Sequence, residues 1–505
     1  MSPGLDAAPG VVAVTLVTLA TLGIGTWGLR FSRTTSDFFV ASRTVRPRLN
    51  ASAIGGEYLS AASFLGVAGL VLTFGADMLW YPVGWTAGYL VLLVLVAAPL
   101  RRSGAYTLPD FAEARLGSRG VRAACSLLVV AVGWLYLLPQ FQGAGITLAA
   151  TVGAPTWLGP VIVGLVVLAN VTSGGMRSIT FVQAFQYWLK LTALLVPAMV
   201  LLAVWASDSA PRTSGSDGWS VPLAPGGMEG LYVTYSLIIA TFLGTMGLPH
   251  VVVRFYTNPD GRAARRTTLV VLALLGVFYL LPPVYGALGR IYAPELAEPG
   301  RADALVLELP RIMVDGPAGE LLTGLVTAGA FAAFLSTSSG LAIAVAGVLS
   351  QDVTGRFWGE RRLGGVAAFR LGAVVAVTVP CVVALAAPNL GVARAVGLAF
   401  AMAASTFCPL LLLGIWWRRL TDAGAIAGLL AGGVGCATAI GWTLASSTAD
   451  GWADTLMGHP AAWTVPLALS TMVAVSLLTP DRVPGHAGRF LVRLHTPEVV
   501  EVDRG

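Results

Sequence analysis

The stretch ASAIGGEYLSAASFLGVAG, residues 51–69, decides how the rest of the chain is read. It is apolar enough to enter a bilayer, yet it carries Gly55, Gly56, Glu57 and the serines Ser52, Ser60 and Ser63. A helix built only to span lipid gains nothing from these. Each glycine weakens a helix by about 1 kcal/mol relative to alanine. A carboxylate at the bilayer centre costs on the order of 2.5–3.5 kcal/mol even on an insertion scale. The segment therefore reads as an interrupted helix that faces a protected cavity, where freed backbone carbonyls can hold an ion.

Composition agrees with a membrane setting. The 505 residues are 56% hydrophobic and only 11% charged, with a mean hydropathy of +0.78, whereas soluble domains run near 25% charged. Thirteen stretches reach the ~20 apolar residues a helical crossing needs. The fold class expected is an all-α integral membrane protein of 13 transmembrane helices. Cys125, Cys381, Cys408 and Cys436 all fall in apolar spans and read as small packing residues.

Orientation follows from the arginines. They cluster after the first span (Arg30, Arg33, Arg43, Arg46, Arg48), after the third, the seventh, the ninth and the eleventh, and in the tail. By this topology 24 arginines flank one side and five (Arg212, Arg290, Arg301, Arg311, Arg394) the other. The excess marks the cytoplasmic side, which gives an external N-terminus and an internal C-terminus. Arg254 is counted there as an inside-loop residue. TLPDFAEARLG, residues 107–117, reads as a short amphipathic helix capped by Thr107 with a proline in its first turn.

Two polar features interrupt later spans. Ser336, Thr337, Ser338 and Ser339 follow one another near the middle of the ninth span. Hydroxyls in such helices can simply bond back to the preceding turn. Residues three and four apart share a face, however, so the Ala333 carbonyl, Ser336 and Thr337 converge. Neutral oxygens of this kind suit a monovalent cation. Lys190, the single lysine of the chain, lies about eleven residues into the sixth span. A lysine that reaches the interface by stretching its stem belongs nearer a span end. Lys190 is instead a candidate partner for Glu57, or an amine acting in the cation pathway.

Enzyme motifs are missing from the sequence. No phosphate-binding loop, zinc-protease helix, nucleophile elbow or paired metal-ligand spacing occurs. His250, beside Pro249, reads as a structural histidine at a membrane edge. The arginine excess follows the loops, so no nucleic-acid partner is expected. The partner expected from these features is the lipid bilayer, with oligomeric state left open.

Several motifs in order resemble one family. TTSDFFVASR (34–43), YTLPDF (106–111), SGGMRSITFVQAFQ (173–186) and the hydroxyl run are similar to the sodium:solute symporter family. LGTMGLPHVVVRFYT (243–257) and AASTFCPLLLLGIWWRR (403–419) resemble its cation/acetate and monocarboxylate branch. The resemblance covers roughly residues 10–480. It implies a LeuT-type fold of two inverted five-helix repeats. The divisions are then an N-terminal span and loop (1–49), the first repeat (50–205), an external loop (206–230), the second repeat (231–419), two further spans (420–478) and a cytoplasmic tail (479–505).

The resemblance also implies a Na⁺ site made of carbonyls at Gly56, Leu59 and Ala333 with hydroxyls at Ser336 and Thr337. That set contains the trio derived above from spacing. Na⁺ is the coupling ion this implies, and no other cofactor is expected. An acidic position of some relatives falls on Gln183, which argues against a second Na⁺, and an acid used by sugar-carrying relatives falls on Pro82. The substrate pocket would be lined by Tyr58, Ser60, Ser63, Tyr81, Trp85, Gln140 and Thr245. Glu57, Gln183 and Lys190 are the candidates for coupling. The expected function is cation-coupled (Na⁺ or H⁺) symport of a small-molecule monocarboxylate such as acetate, propionate or pyruvate across a bacterial cytoplasmic membrane by alternating access. The alternatives are a proline or zwitterion symporter of the same fold and a transporter-like sensor. The ~25 residues after the last span argue against the sensor.

Overall fold

The computed structural model describes residues 8–28, 30, 41–212, 219–221, 227–298, 300–354, 365–386, 391–445 and 451–498. Most of the 34–43 motif, Arg33, the loop arginines Arg356, Arg361 and Arg362, and Arg504 lie outside the described residues. Every regular element described is helical. Among the described residues, eleven helical stretches are long and apolar enough to cross a membrane. Two of them, Ala62–Arg102 and Leu158–Ser207, are 41 and 50 residues long, about twice what one crossing requires. Each contains a glycine at positive φ, Gly75 (80°) in the first and Gly175 (56°) in the second. A Cβ on Gly75 would stand 1.9 Å from the Trp219 carbonyl, which accepts the Ala76 N–H at 2.7 Å. Only glycine fits that turn.

The stretches are not equally central. The best-covered windows belong to Pro317–Asp352 (94% buried), Val392–Trp416 (89%) and Gly227–Tyr256 (78%), against 28% for Ala8–Gly28. The inner helices pack closely through small residues, as membrane bundles do. Gly244 and Gly247 bring Gly227–Gly247 against the Phe400 and Ala403 carbonyls, which a Cβ would approach to 2.5 and 2.3 Å.

Two helices of this core are broken. The first starts with Pro47 in its opening turn and runs Pro47–Tyr58. It ends at Leu59 (φ −73°, ψ 87°), and Ser60 lies between it and the helix that resumes at Ala61 and runs to Phe74. The second runs Gly227–Gly247, breaks at Leu248 (φ −70°, ψ 117°), and resumes as Pro249–Tyr256. Both interruptions fall in the stretches the sequence singled out.

The role assigned to the glycines needs correction. Gly55 and Gly56 lie inside the first helical half, one turn before the break. Gly55 faces the Tyr187 ring at 2.8 Å from a hypothetical Cβ, and Gly56 faces the Gln183 carbonyl at 2.0 Å. They permit close approach of Leu158–Ser207, while the break itself is held by Gln140, whose Oε1 accepts the Ala61 N–H at 3.0 Å. The short helix expected after the third span is present as Leu108–Leu116. Its N-terminus carries a reciprocal cap between Thr107 and Asp110, and Gly117 ends it at φ 63°.

Candidate functional site

The first break, the hydroxyl run of Pro317–Val348 and the second half of Leu158–Ser207 meet at one point. Lys190, fully buried, projects from the last of these. Its Nζ donates to the Gly56 carbonyl, to the Leu59 carbonyl at 2.7 Å and to Ser336 Oγ at 2.7 Å. A lysine ammonium has three N–H donors and no acceptor, so all three are used. The helical turn ending at Leu59 supplies the two carbonyls because the chain leaves the helix there. Ser336 supplies the hydroxyl and itself donates to the Ala333 carbonyl at 3.1 Å. Thr337 Oγ1 donates to the Glu57 carbonyl at 2.6 Å.

Of the five oxygens expected to hold Na⁺, those of Gly56, Leu59 and Ser336 converge on the lysine amine. A Na⁺ here would compete for the same three oxygens against a cation tethered to the chain. The donor set therefore fits the Lys190 ammonium and does not fit an additional Na⁺ beside it.

Glu57 has a different partner from the one expected. Its Oε2 accepts from Arg254 Nε at 2.5 Å, and both side chains are at most 3% exposed. Arg254 Nη1 donates to Thr180 Oγ1 at 2.9 Å, and its Nη2 donates to Gln183 Oε1. Gln183 Nε2 donates in turn to the Ser336 carbonyl at 2.8 Å. Gly340 leaves room for the carboxylate, which a Cβ there would meet at 2.2 Å. Arg254 is thus an interior residue and not an inside-loop one. The reason is that the chain breaks at Leu248 and resumes as Pro249–Tyr256, a half-helix whose residues, Arg254 among them, are all buried. A buried pair costs less than a lone buried charge, and Glu57 with Arg254 sums to zero. Lys190, when protonated, adds one positive charge to the cluster.

The residues expected around a substrate are brought together in part. Tyr58 lies across the two broken helices, with its hydroxyl 2.8 Å from Thr245 Oγ1 and 3.2 Å from the Trp85 carbonyl. Trp85 stacks edge-on with Tyr81 at 5.4 Å. Ser63 bonds the Tyr279 hydroxyl at 2.8 Å, and Gln140 is committed to the first break. Ser60 is buried within that break. Tyr136, Tyr279 and Phe400, which the sequence reading passed over, complete the surroundings together with His250 and Arg254, which it placed at a membrane edge and in an inside loop. A usable signal existed for two of them: His250 and Arg254 are four residues apart on one helix face, directly after the second break.

Comparisons with known proteins follow this geometry. The sequence model of the Sodium:solute symporter family matches residues 38–432. The monocarboxylic acid transporter of Corynebacterium glutamicum is 32% identical over 525 aligned positions, covering 94% of this chain and 92% of that protein. An uncharacterized symporter of Bacillus subtilis, YwcA, is 30% identical over 431, covering 82% of each. Among solved structures, the substrate-bound outward-open state of a Na⁺-coupled sialic acid symporter superposes with a TM-score of 0.69 at 15% identity, covering 94% of this chain and 98% of that one. MhsT in complex with L-phenylalanine gives 0.54 at 15% identity, covering 86% and 99%. At such identities the likeness is one of fold.

Proposed function

The chain belongs to the sodium:solute symporter family and is a multi-pass membrane transporter, not an enzyme, and on that premise we propose that it couples uptake of a small monocarboxylate to the proton carried by Lys190. The observation that carries the coupling is the Lys190 ammonium on the Gly56 and Leu59 carbonyls and Ser336. Protonated, the amine ties the first broken helix to the hydroxyl-bearing helix, as a bound cation would. Deprotonated, it has two N–H groups and a lone pair, so it can no longer serve three acceptors, and the tie loosens. Coupling then follows from differential binding: substrate and proton both favour the state in which this junction is closed.

The substrate class is supported by the Corynebacterium relative, whose name gives monocarboxylic acid transport. The two long stretches each turn at a positive-φ glycine. Reading each as two crossings gives thirteen spans, with the N-terminus outside and the C-terminus inside. Spans two to six and seven to eleven form the inverted repeats, in a bacterial cytoplasmic membrane.

Purified protein in proteoliposomes tests this. Labelled acetate and pyruvate should accumulate under an inward proton gradient and be indifferent to Na⁺. Lys190→Ala should abolish proton-driven accumulation, retain substrate exchange and open the oxygen set. A rise in unfolding temperature with added Na⁺ is expected in that variant only. Uptake that needs a Na⁺ gradient in the wild type would sink proton coupling. Uptake of proline in place of the monocarboxylates would move the substrate class to zwitterions.

A further inference from the structure

The buried cations of the site are both committed. Lys190 spends its three N–H groups on Gly56, Leu59 and Ser336. Arg254 is held by Glu57, Thr180 and Gln183. An anionic substrate entering between the broken helices therefore finds no free positive side chain in this cluster, and a carboxylate removed from water must still be hydrogen-bonded. The donors left over are neutral. Both ring nitrogens of His250 lack a hydrogen-bond partner while the residue is only 1% exposed. Trp85 Nε1 is likewise buried without a partner. Buried polar groups are ordinarily paired, so two orphaned donors in one neighbourhood call for an acceptor.

Their placement suits a short carboxylate. His250 is the second residue of Pro249–Tyr256, directly after the break at Leu248. The first-turn N–H groups of a helix have no acceptor within it and favour negative charge. The imidazole stands edge-on to Tyr136 at 5.3 Å. Tyr136 lies 5.8 Å from Phe400 and, through its hydroxyl, beside Ser60 of the first break. Phe400 lies 5.6 Å from Trp85. One aromatic wall thus joins the two breaks and carries the two unpartnered donors.

We propose that the His250 imidazole, orphaned at the break of the second broken helix, is the side-chain donor that receives the substrate carboxylate, with Trp85 Nε1 as the second donor. Tyr136 and Phe400 cover the alkyl tail. Recognition of the anion is thereby separated from the cation that drives transport. The inference rests on the anionic substrate proposed above.

Equilibrium binding of labelled propionate to the purified protein tests it, with propionamide as the uncharged competitor of the same shape. His250→Leu is expected to weaken propionate binding by about ten- to a hundredfold, as for a lost bond to a charged group. His250→Gln, which restores an amide donor, recovers most of the loss. The preference for propionate over propionamide should narrow in His250→Leu, a change that a packing role would not produce. A folded His250→Leu protein with unchanged affinity and unchanged discrimination overturns the proposal. If that variant does not fold, ¹⁵N-histidine spectra of the unmodified protein decide. The chain has four histidines, so replacing His459, His486 and His495 assigns the His250 signals, which should shift along the propionate isotherm; no shift overturns the proposal. Should the wild type bind proline and no monocarboxylate, the substrate class falls. The same His250→Leu comparison, run with proline against prolinamide, then still decides the role of His250.

Discussion

Glu57 looked expensive in the sequence because nothing nearby in the chain neutralises it. Its partner, Arg254, is 197 positions away and reaches it only because the second helix breaks and resumes. Removing one member of such a pair leaves the other charged and dry, at a cost of roughly 3–5 kcal/mol. Glu57→Gln alone should therefore lower the thermal unfolding midpoint strongly. The double change Glu57→Gln with Arg254→Met should recover most of that loss; a double variant no more stable than the single one would show that the pair is not the source. Lys190 was legible as an anomaly, and the hydroxyl run as a candidate cation site. That the two are one site was not legible. Their meeting depends on the Leu158–Ser207 helix lying close enough to the first break for a lysine stem to span the gap, which spacing along the chain cannot reveal.

At the level of elements, that closeness comes from the paired glycines. Their sequence signature suggested helix breaking, because low helix propensity is the property of glycine visible without a structure. Their contacts show the other property, the missing Cβ. Gly56 allows the Gln183 carbonyl to sit where a Cβ would be only 2.0 Å away. Gly56→Ala should push Leu158–Ser207 outward and pull Lys190 Nζ off the Gly56 and Leu59 carbonyls. The expected result is loss of proton-driven accumulation to below about a tenth of wild type with the helical content kept, read by uptake and circular dichroism. Wild-type uptake in Gly56→Ala would sink this account of the glycine. The first broken helix was legible from the glycines and glutamate of GGEYLS, and the second lies in the 243–257 motif, where GTMGLP opens the second repeat with a glycine-interrupted span as GGEYLS opens the first. The exact hinge residues, Leu59 to Ser60 and Leu248, were not legible. A side chain from another helix, Gln140, holds the first of them.

For the molecule as a whole, the charges at the site set its response to voltage. Glu57 and Arg254 cancel, and on the coupling proposed above the proton on Lys190 balances one substrate carboxylate. One proton carried with one monocarboxylate moves no net charge, whereas each uncompensated charge would contribute about 2.3 kcal/mol per 100 mV. Imposing an inside-negative potential with potassium and valinomycin, at equal pH on both sides, should leave the initial uptake rate unchanged. Clear acceleration would require more than one cation per substrate. The membrane class and the family were legible from composition and ordered motifs. The sequence divides each of the two longest helical stretches into two spans, and a positive-φ glycine, Gly75 or Gly175, stands near each division.

The amine of Lys190 has one consequence for physiology. On the coupling proposed above, the proton-binding amine is held on a covalent stem and so is present at its site at a fixed, very high effective concentration. It cannot be dialysed away, diluted or displaced by the salt of the medium. Such a carrier would work alike in a sodium-poor soil film and in brine. What it needs from its surroundings is a path for protons to one buried nitrogen, so its speed would follow acidity and buffering where an ion-binding relative would follow salinity.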